Sequence, residues 1–391
     1  MADPSALPPS ALERARRLIY GLFLLNGLLF STWAVLVPTF QEGLDLRPAA
    51  LSGYLFLIML GSVAALPLGQ RLLRTLGLRA VAVVSVGLMG LGLSGPAFAQ
   101  EPIGVGLALL IYGLGFGGID FSMNAAGAWI EDGLARPVMS GLHAAFSIGG
   151  LAGASLGAVL LGQGLNFSIH LGGVAAAGLV AGLWLAFGLP HFRSAPSVTG
   201  TRFPVTRALG LLLFAGFAAA LAEGVINDWA SVYLRAQGLS LAAASWGYLA
   251  FSLAMVVGRL SGDRLTERVG RFRLGMGAAL LGTMGLGLVV LAPSHALNIL
   301  GFSVAGLGLS VLAPLAFSAA WGHAEARGVA LLTAVFYGGF LAGPPVTGLL
   351  VEGLGSPATF VLPTALLLLT LAFTAQRIYT PASPQPIKES L

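Results

Sequence analysis

Apolar residues in this chain run in long unbroken stretches, interrupted by a few positions that carry charge, proline or glycine. Twelve such stretches span approximately 17–40, 50–70, 79–99, 102–130, 138–163, 168–190, 207–233, 243–263, 273–293, 296–321, 328–351 and 356–376. Crossing the hydrocarbon core of a bilayer takes about 20 apolar residues of helix. Each stretch is near or above that length. The runs are continuous rather than alternating, which predicts helices and not barrel strands. The first run is too long for the core of a signal peptide and lacks a small-residue cleavage pattern, so it is read as a helix.

Composition sharpens this picture. Hydrophobic residues make up 57% and charged residues 9% of 391 positions, against about 25% charged in a soluble domain. So few ionic groups do not cover a water-facing surface of this size. That excludes a soluble enzyme, a disordered chain and a nucleic-acid binder. The net charge of +5 is a matter of topology. With the N-terminus in the cytoplasm and twelve crossings, all of the 20 Lys and Arg except Arg47 and Arg235 fall on the inner side, as the positive-inside rule requires. The expected protein is all-α and integral to a membrane, with both termini cytoplasmic and a bacterial inner (plasma) membrane as its place. Lipid is its first partner, and a monomer is expected. With no cysteine there is no disulfide and no thiolate metal site.

The chain also repeats itself. Trp33 matches Trp229, Gly43-Leu44 matches Gly238-Leu239, and Gly53-Tyr54 matches Gly247-Tyr248. Gly69-x-Arg71-Leu72 and Gly77 match Gly262-x-Arg264-Leu265 and Gly270. The order is kept and the offset drifts by single residues, so helices 1–2 and 7–8 read as copies. The expected organisation is a six-helix bundle over 1–190, a cytoplasmic linker over 191–206, a second bundle over 207–376 and a flexible tail over 377–391. Parallel repeats of this kind place a solute site at the bilayer midplane between halves that open alternately.

The 6+6 plan, with a basic segment after helices 2 and 8, resembles the major facilitator superfamily. That superfamily's loop motif, roughly Gly-x-Leu-x-Asp-Arg-x-Gly-Arg, is similar to Asp263-Arg264-Leu265-Thr266-Glu267-Arg268-Val269-Gly270-Arg271, with Glu267 in the Asp place. The resemblance makes Asp263, Arg264, Glu267, Arg268, Gly270 and Arg271 the gate motif. The N-terminal copy is degraded, with Arg74 in the acidic place. Helix 4 carries Asp120-x-x-x-Asn124, followed by Pro137-x-x-Ser140-Gly141-x-His143-Ala144-x-Phe146-Ser147. Helix 7 carries Glu223-x5-Trp229-x3-Tyr233. These resemble the fucose-permease and related sugar-permease branch. One departure is Ala34, which stands where the fucose permease has an Asp. The resemblance implies solute transport with proton coupling, and a cavity lined by helices 1, 4, 7 and 10.

The polar residues inside the apolar runs point to the same place independently. A charge at the bilayer centre costs about 2.5–3.5 kcal/mol on insertion scales, so it persists when paired, protonated or facing a wet space. Asp120 and Asn124 share one helix face, as do Glu223 and Asn227. A poorly solvated carboxyl suits reversible proton uptake, which makes Asp120 and Glu223 the leading coupling groups. Asp228 is a further one, or an interfacial acid paired with Arg235. His143 is a relay or gate, or a packing residue. Asn26, Asn124, Asn227, Trp33 and Trp229 are the solute-contact candidates. For Asn26 the alternative is interhelical glue, and for the two tryptophans the interfacial aromatic belt. Trp246 and Tyr248 read as belt residues. Arg259 reads as snorkelling or pairing with Asp263. Gly343-Pro344-Pro345 is expected to interrupt and kink helix 11.

No Walker lysine motif, no zinc-ligand spacing, no hydrolytic triad, no voltage-sensor helix and no selectivity filter occurs in the sequence. An enzyme is therefore not expected, nor is a cofactor. The expectation is a secondary transporter of a small polar solute, sugar-like or another metabolite, working by alternating access in symport with protons. The alternatives are a proton-antiport exporter of hydrophobic compounds and, from another class, a non-transporting solute sensor or scaffold.

Overall fold

The computed structural model describes residues 8–374 apart from 100, 135–137, 191–204 and 293. The linker expected at 191–206 therefore falls almost wholly outside the described residues, and the tail at 377–391 does so entirely. The described chain is helical throughout. Its helices are α1 (Pro9–Gly43), α2 (Pro48–Thr75), α3 (Leu78–Phe98), α4 (Pro102–Leu134), α5 (Met139–Gly162), α6 (Phe167–Gly188), α7 (Arg207–Ala236), α8 (Leu241–Val269), α9 (Arg271–Leu291) and α10 (His295–Leu354). A 3-10 turn (Ser356–Phe360) leads into α11 (Val361–Thr374). Twelve spans within these are long and apolar enough to cross a membrane.

Local chemistry sets the ends. Pro9 and Pro48 occupy first helical turns, where a missing N–H costs nothing. The side chains of Asn166, Thr206 and Ser240 accept from the first free amides of α6, α7 and α8, as helix caps do. Gly77 and Gly270, matched in the repeat, take φ of 87° and 80°. Gly77 opens α3 after Leu76 caps α2, and Gly270 both ends α8 and begins α9; each takes a positive φ that glycine alone adopts freely.

Two expectations about elements change. The stretch from Asp263 to Arg268 is the last part of α8 and not a loop. Helices 10 and 11 form one uninterrupted helical run, α10, with spans His295–Ala320 and Leu331–Leu354. It is not straight. Phe317 and Phe336 lie with ring centroids 5.2 Å apart, whereas nineteen residues of straight helix cover about 28 Å. The run folds back on itself between the two spans. It also passes through Pro344 and Pro345 without stopping.

Glycines set the packing distances. A methyl at Gly92 would land on the Tyr112 amide and one at Gly115 on the Met89 amide, where α3 meets α4. Gly285 against Ala305 and Gly308 against Gly282 repeat the arrangement where α9 meets α10. Each of these positions lies at one constant offset from its counterpart, which carries the internal repeat into two helices where side-chain identity hides it. In the same way Gly113 and Gly117 meet the carbonyls of Ile58 and Ser62, and Gly149 and Gly153 those of Leu24 and Leu28. Backbones approach this closely only where no side chain intervenes. Large apolar side chains such as Leu91, Phe98, Trp184 and Leu291 stand exposed on the outside, which suits hydrocarbon rather than water.

Candidate functional site

Helices α1–α6 pack mainly among themselves, as do α7–α11. The seam between the two sets is made by α2 with α10, α5 with α8, and α1 with α7 and α8. The end of the bundle that holds the α1–α2 and α7–α8 turns is called distal here.

Polar side chains are concentrated at mid-depth on this seam. Asp120 on α4 accepts a hydrogen bond from the Tyr337 hydroxyl on α10 at 2.7 Å. Its other oxygen accepts from the Asn124 amide at 3.2 Å, and that amide also donates to the Asp120 carbonyl. Both donors to the carboxyl are neutral. On the facing set, Arg259 of α8 donates to Glu223 of α7 at 3.2 Å and crosses the seam to the Ser147 hydroxyl of α5 at 2.7 Å. The side chains of Arg259 and Glu223 keep 22% and 19% of their surface accessible, so this ion pair is only partly desolvated. The His143 ring, one turn before Ser147, is exposed and rests edge-on against Phe23 at 5.3 Å. Asn227 is half-buried on the same helix as Glu223.

Toward the distal end the seam is closed. Arg235 pairs with Glu42, and Arg47 lies 3.5 Å from Glu352. Glu352 also accepts from the Ala49 amide at 3.1 Å, so a carboxylate of α10 caps the free N-terminus of α2. A methyl at Gly348 would fall on Ser52. Just inward, the Ser31 and Tyr248 hydroxyls share a 2.7 Å hydrogen bond between α1 and α8.

The structure brings together some of the expected site residues and separates others. Asp120, Asn124, Glu223 and Asn227 lie on or beside the seam, with His143 near them. Asn26 does not. It is buried inside the first set beside Leu22, Val86, Met89 and Gly178, and its nearest polar contact is the Met123 sulfur at 4.0 Å. Trp33 and Trp229 are 2% and 1% exposed, and neither indole N–H has a partner among the described residues. Both are buried rather than in an interfacial belt; the Trp33 ring lies tilted against Phe40 at 5.3 Å within the first set. Asp228 is buried with no ion-pair partner among the described residues, and Arg235 turns to Glu42. Of the motif on α8, Arg264, Glu267, Arg268 and Gly270 are exposed and Arg271 half-buried. The Asp263 side chain lies outside the description.

Sequence reasoning missed Tyr337, Tyr248 and the role of Arg259. Arg259 joins Glu223 and Ser147, and Tyr248 is buried in the seam rather than in a belt. Each is one polar group in an apolar helix, so its existence was visible. Which group stood opposite was not.

Twelve apolar spans in two sets of helices, with Asp120, Glu223 and Arg259 on the seam between them, suit a membrane transporter. No protein-family profile matches the sequence. An uncharacterised MFS-type transporter of Yersinia pestis is 34% identical over 365 residues, spanning 91% of this chain and 94% of that one. The membrane protein MosC of Rhizobium meliloti is 29% identical over 352 residues, 87% of this chain and 85% of its own. Among solved structures, the nucleoside transporter NupG superposes with a TM-score of 0.72 at 14% identity, covering 93% of this chain and 99% of that one. A bacterial homologue of the human lysosomal transporter Spinster, inward-facing and occupied, gives 0.74 at 14%, covering 97% and 100%. The chain belongs to the MFS-type transporters, the major facilitator superfamily, and is not an enzyme.

Proposed function

We propose that the protein is a secondary active transporter that carries a small polar solute, sugar-like or another metabolite, in symport with protons. It works as a monomer in the bacterial inner membrane, with both termini cytoplasmic and the distal end outside. Two six-helix halves, 1–190 and 207–376, rock about the seam. The likeness of helices 4 and 7 to the sugar-permease branch supports a sugar-like solute.

The observation that carries this reading is the Asp120–Tyr337 bond across the seam. An ionised Asp120 accepts a charge-assisted hydrogen bond there, which is about twice as strong as a neutral one. A proton on Asp120 weakens the link between the halves. Proton uptake and movement of the seam are thereby coupled through one side chain. Glu223 and Arg259 form the matching element on the other half, and the accessible part of that pair, with Asn227 and Asn124, meets the solute.

A second reading, proton-antiport export of a less polar compound, is favoured by the shortage of free amides. Asn124 is already bonded to Asp120, and Asn26 and both tryptophans are buried. The two are separated in proteoliposomes with an imposed pH gradient. Symport gives uptake of labelled solute with alkalinisation of the outer medium, and antiport gives gradient-driven efflux of a dye. Asp120→Asn is expected to abolish accumulation while solute exchange persists. If Asp120→Asn accumulates solute as the wild type does, the proposal fails.

A further inference from the structure

Among the described residues Arg259 is the one arginine or lysine of the mid-depth network. It stands near the inner end of the α8 span Leu241–Gly262, and α8 runs inward from the distal turn. A helical side chain leans toward the N-terminus of its own helix, so this one climbs back into the seam. A guanidinium carries five N–H donors and no acceptor. Among the described residues Arg259 makes two hydrogen bonds, from Nη1 to the Ser147 hydroxyl at 2.7 Å and from Nη2 to one Glu223 oxygen at 3.2 Å. The first partner is neutral and donates its own proton to the His143 carbonyl at 3.2 Å. The second is a single contact, not the two parallel bonds of a full arginine–carboxylate pair. Nε and part of both Nη groups are left over, and 22% of the side chain is accessible. The other acid of the network does not compete for them, since one Asp120 oxygen is taken by Tyr337 and the other by Asn124. Beside the guanidinium, the exposed His143 ring stands one turn before Ser147, and Asn227 one turn distal of Glu223.

We propose that Arg259 anchors a carboxylate on the transported solute, so that the cargo is a small hydroxylated carboxylate of the sugar-acid class and not a neutral sugar or an amine. This rests on the transporter reading of the same site and narrows its solute. The solute carboxylate takes the unused donors of the guanidinium, whose planar fork matches two carboxylate oxygens. Hydroxyls of the solute meet Asn227, the His143 ring and the second Glu223 oxygen. An ammonium group in this place would face the like charge of the guanidinium. A neutral polyol would leave the spare donors without the charge-assisted bonds that they are placed to make. Glu223 opposes the bound anion at close range, which keeps the complex weak enough to release its cargo.

The test uses the full chain in nanodiscs and two matched sets of probes: gluconate, sorbitol and glucosamine, and galactonate, galactitol and galactosamine. Binding is read as the shift in melting temperature against probe concentration at constant ionic strength, each variant being compared with its own melt without probe. At least one aldonate is expected to stabilise the protein, and its alditol and amino sugar are not. Arg259→Lys keeps the charge and loses the fork, and is expected to bind that aldonate about tenfold more weakly, the loss of one charge-assisted hydrogen bond. Glu223→Gln removes the like charge and is expected to bind it about tenfold more tightly; a site for an amine gives the reverse, and a purely structural ion pair gives no change in affinity. Either variant decides the matter if the other fails to fold. The proposal is overturned by preference for an alditol or amino sugar, by no response to either aldonate, by an equal response to potassium phosphate, or by affinities that the variants leave unchanged. The transport reading is scored separately by counterflow of labelled aldonate in proteoliposomes. An aldonate that binds with this variant pattern and does not exchange sinks transport and leaves the assignment of Arg259 standing.

Discussion

At the scale of single residues, the decisive groups are those whose charge has one specific partner. Arg259 and Glu223 are the clearest. Removing one carboxyl or guanidinium leaves the other half-buried and uncompensated, which costs more than the pair contributes. Glu223→Gln is expected to lower thermal stability by about 1–3 kcal/mol, read as a drop in melting temperature of the purified protein. Glu223→Gln combined with Arg259→Gln is expected to recover part of that loss. Tyr337→Phe removes the cross-seam donor to Asp120 and nothing else. Its expected signature is an altered pH profile of uptake with unchanged expression and folding. The sequence made Asp120, Asn124 and Glu223 legible, because acids in apolar helices are costly and stand out against their surroundings. It left Tyr337 unread and put Tyr248 in a belt, because a tyrosine is at home in an apolar helix and shows its use only when another helix faces it. Trp33 and Trp229 are legible in another way. Their matched places in the repeat correspond to matched burial.

At the scale of helices, glycine decides how near two backbones come. Gly113 faces the Ile58 carbonyl and tolerates no side chain, whereas Gly173 meets nothing within 4 Å. Gly113→Ala is expected to push α4 off α2 and lower the melting temperature by several degrees. Gly173→Ala, in the middle of α6, is expected to be neutral or slightly stabilising, by up to about 1 kcal/mol, through helix propensity alone. Thermal melts of the two variants side by side check the contrast. The helix count was legible from hydropathy, since a span is a property of one segment and the bilayer thickness. The helical continuity of α10 was not, because a reversal of direction depends on what the two spans pack against. The identity of the turn glycines Gly77 and Gly270 was visible as a repeat, while their positive φ came only with the fold.

At the scale of the whole molecule, the closed distal seam is held by weak and separable contacts. Exposed ion pairs contribute about 0–1 kcal/mol each, so Glu42→Ala is expected to shift the seam toward opening only modestly. Gly348→Val, which drives a side chain into Ser52, is expected to shift it much further. A Ser52→Cys probe, buried while the seam is closed, reports both through its labelling rate by a membrane-impermeant reagent, and raised salt should mimic Glu42→Ala. By itself the sequence determined that this chain dissolves in lipid, crosses it twelve times and repeats its own plan, because hydropathy, loop charge and self-similarity are properties of segments taken one at a time. Only the tertiary structure decided which polar groups meet. That Asp120 finds Tyr337, that Arg259 finds Glu223 and Ser147, and that Ser31 finds Tyr248 depend on contacts between separate helices. The period of a helix says which side a residue faces and nothing about what stands there.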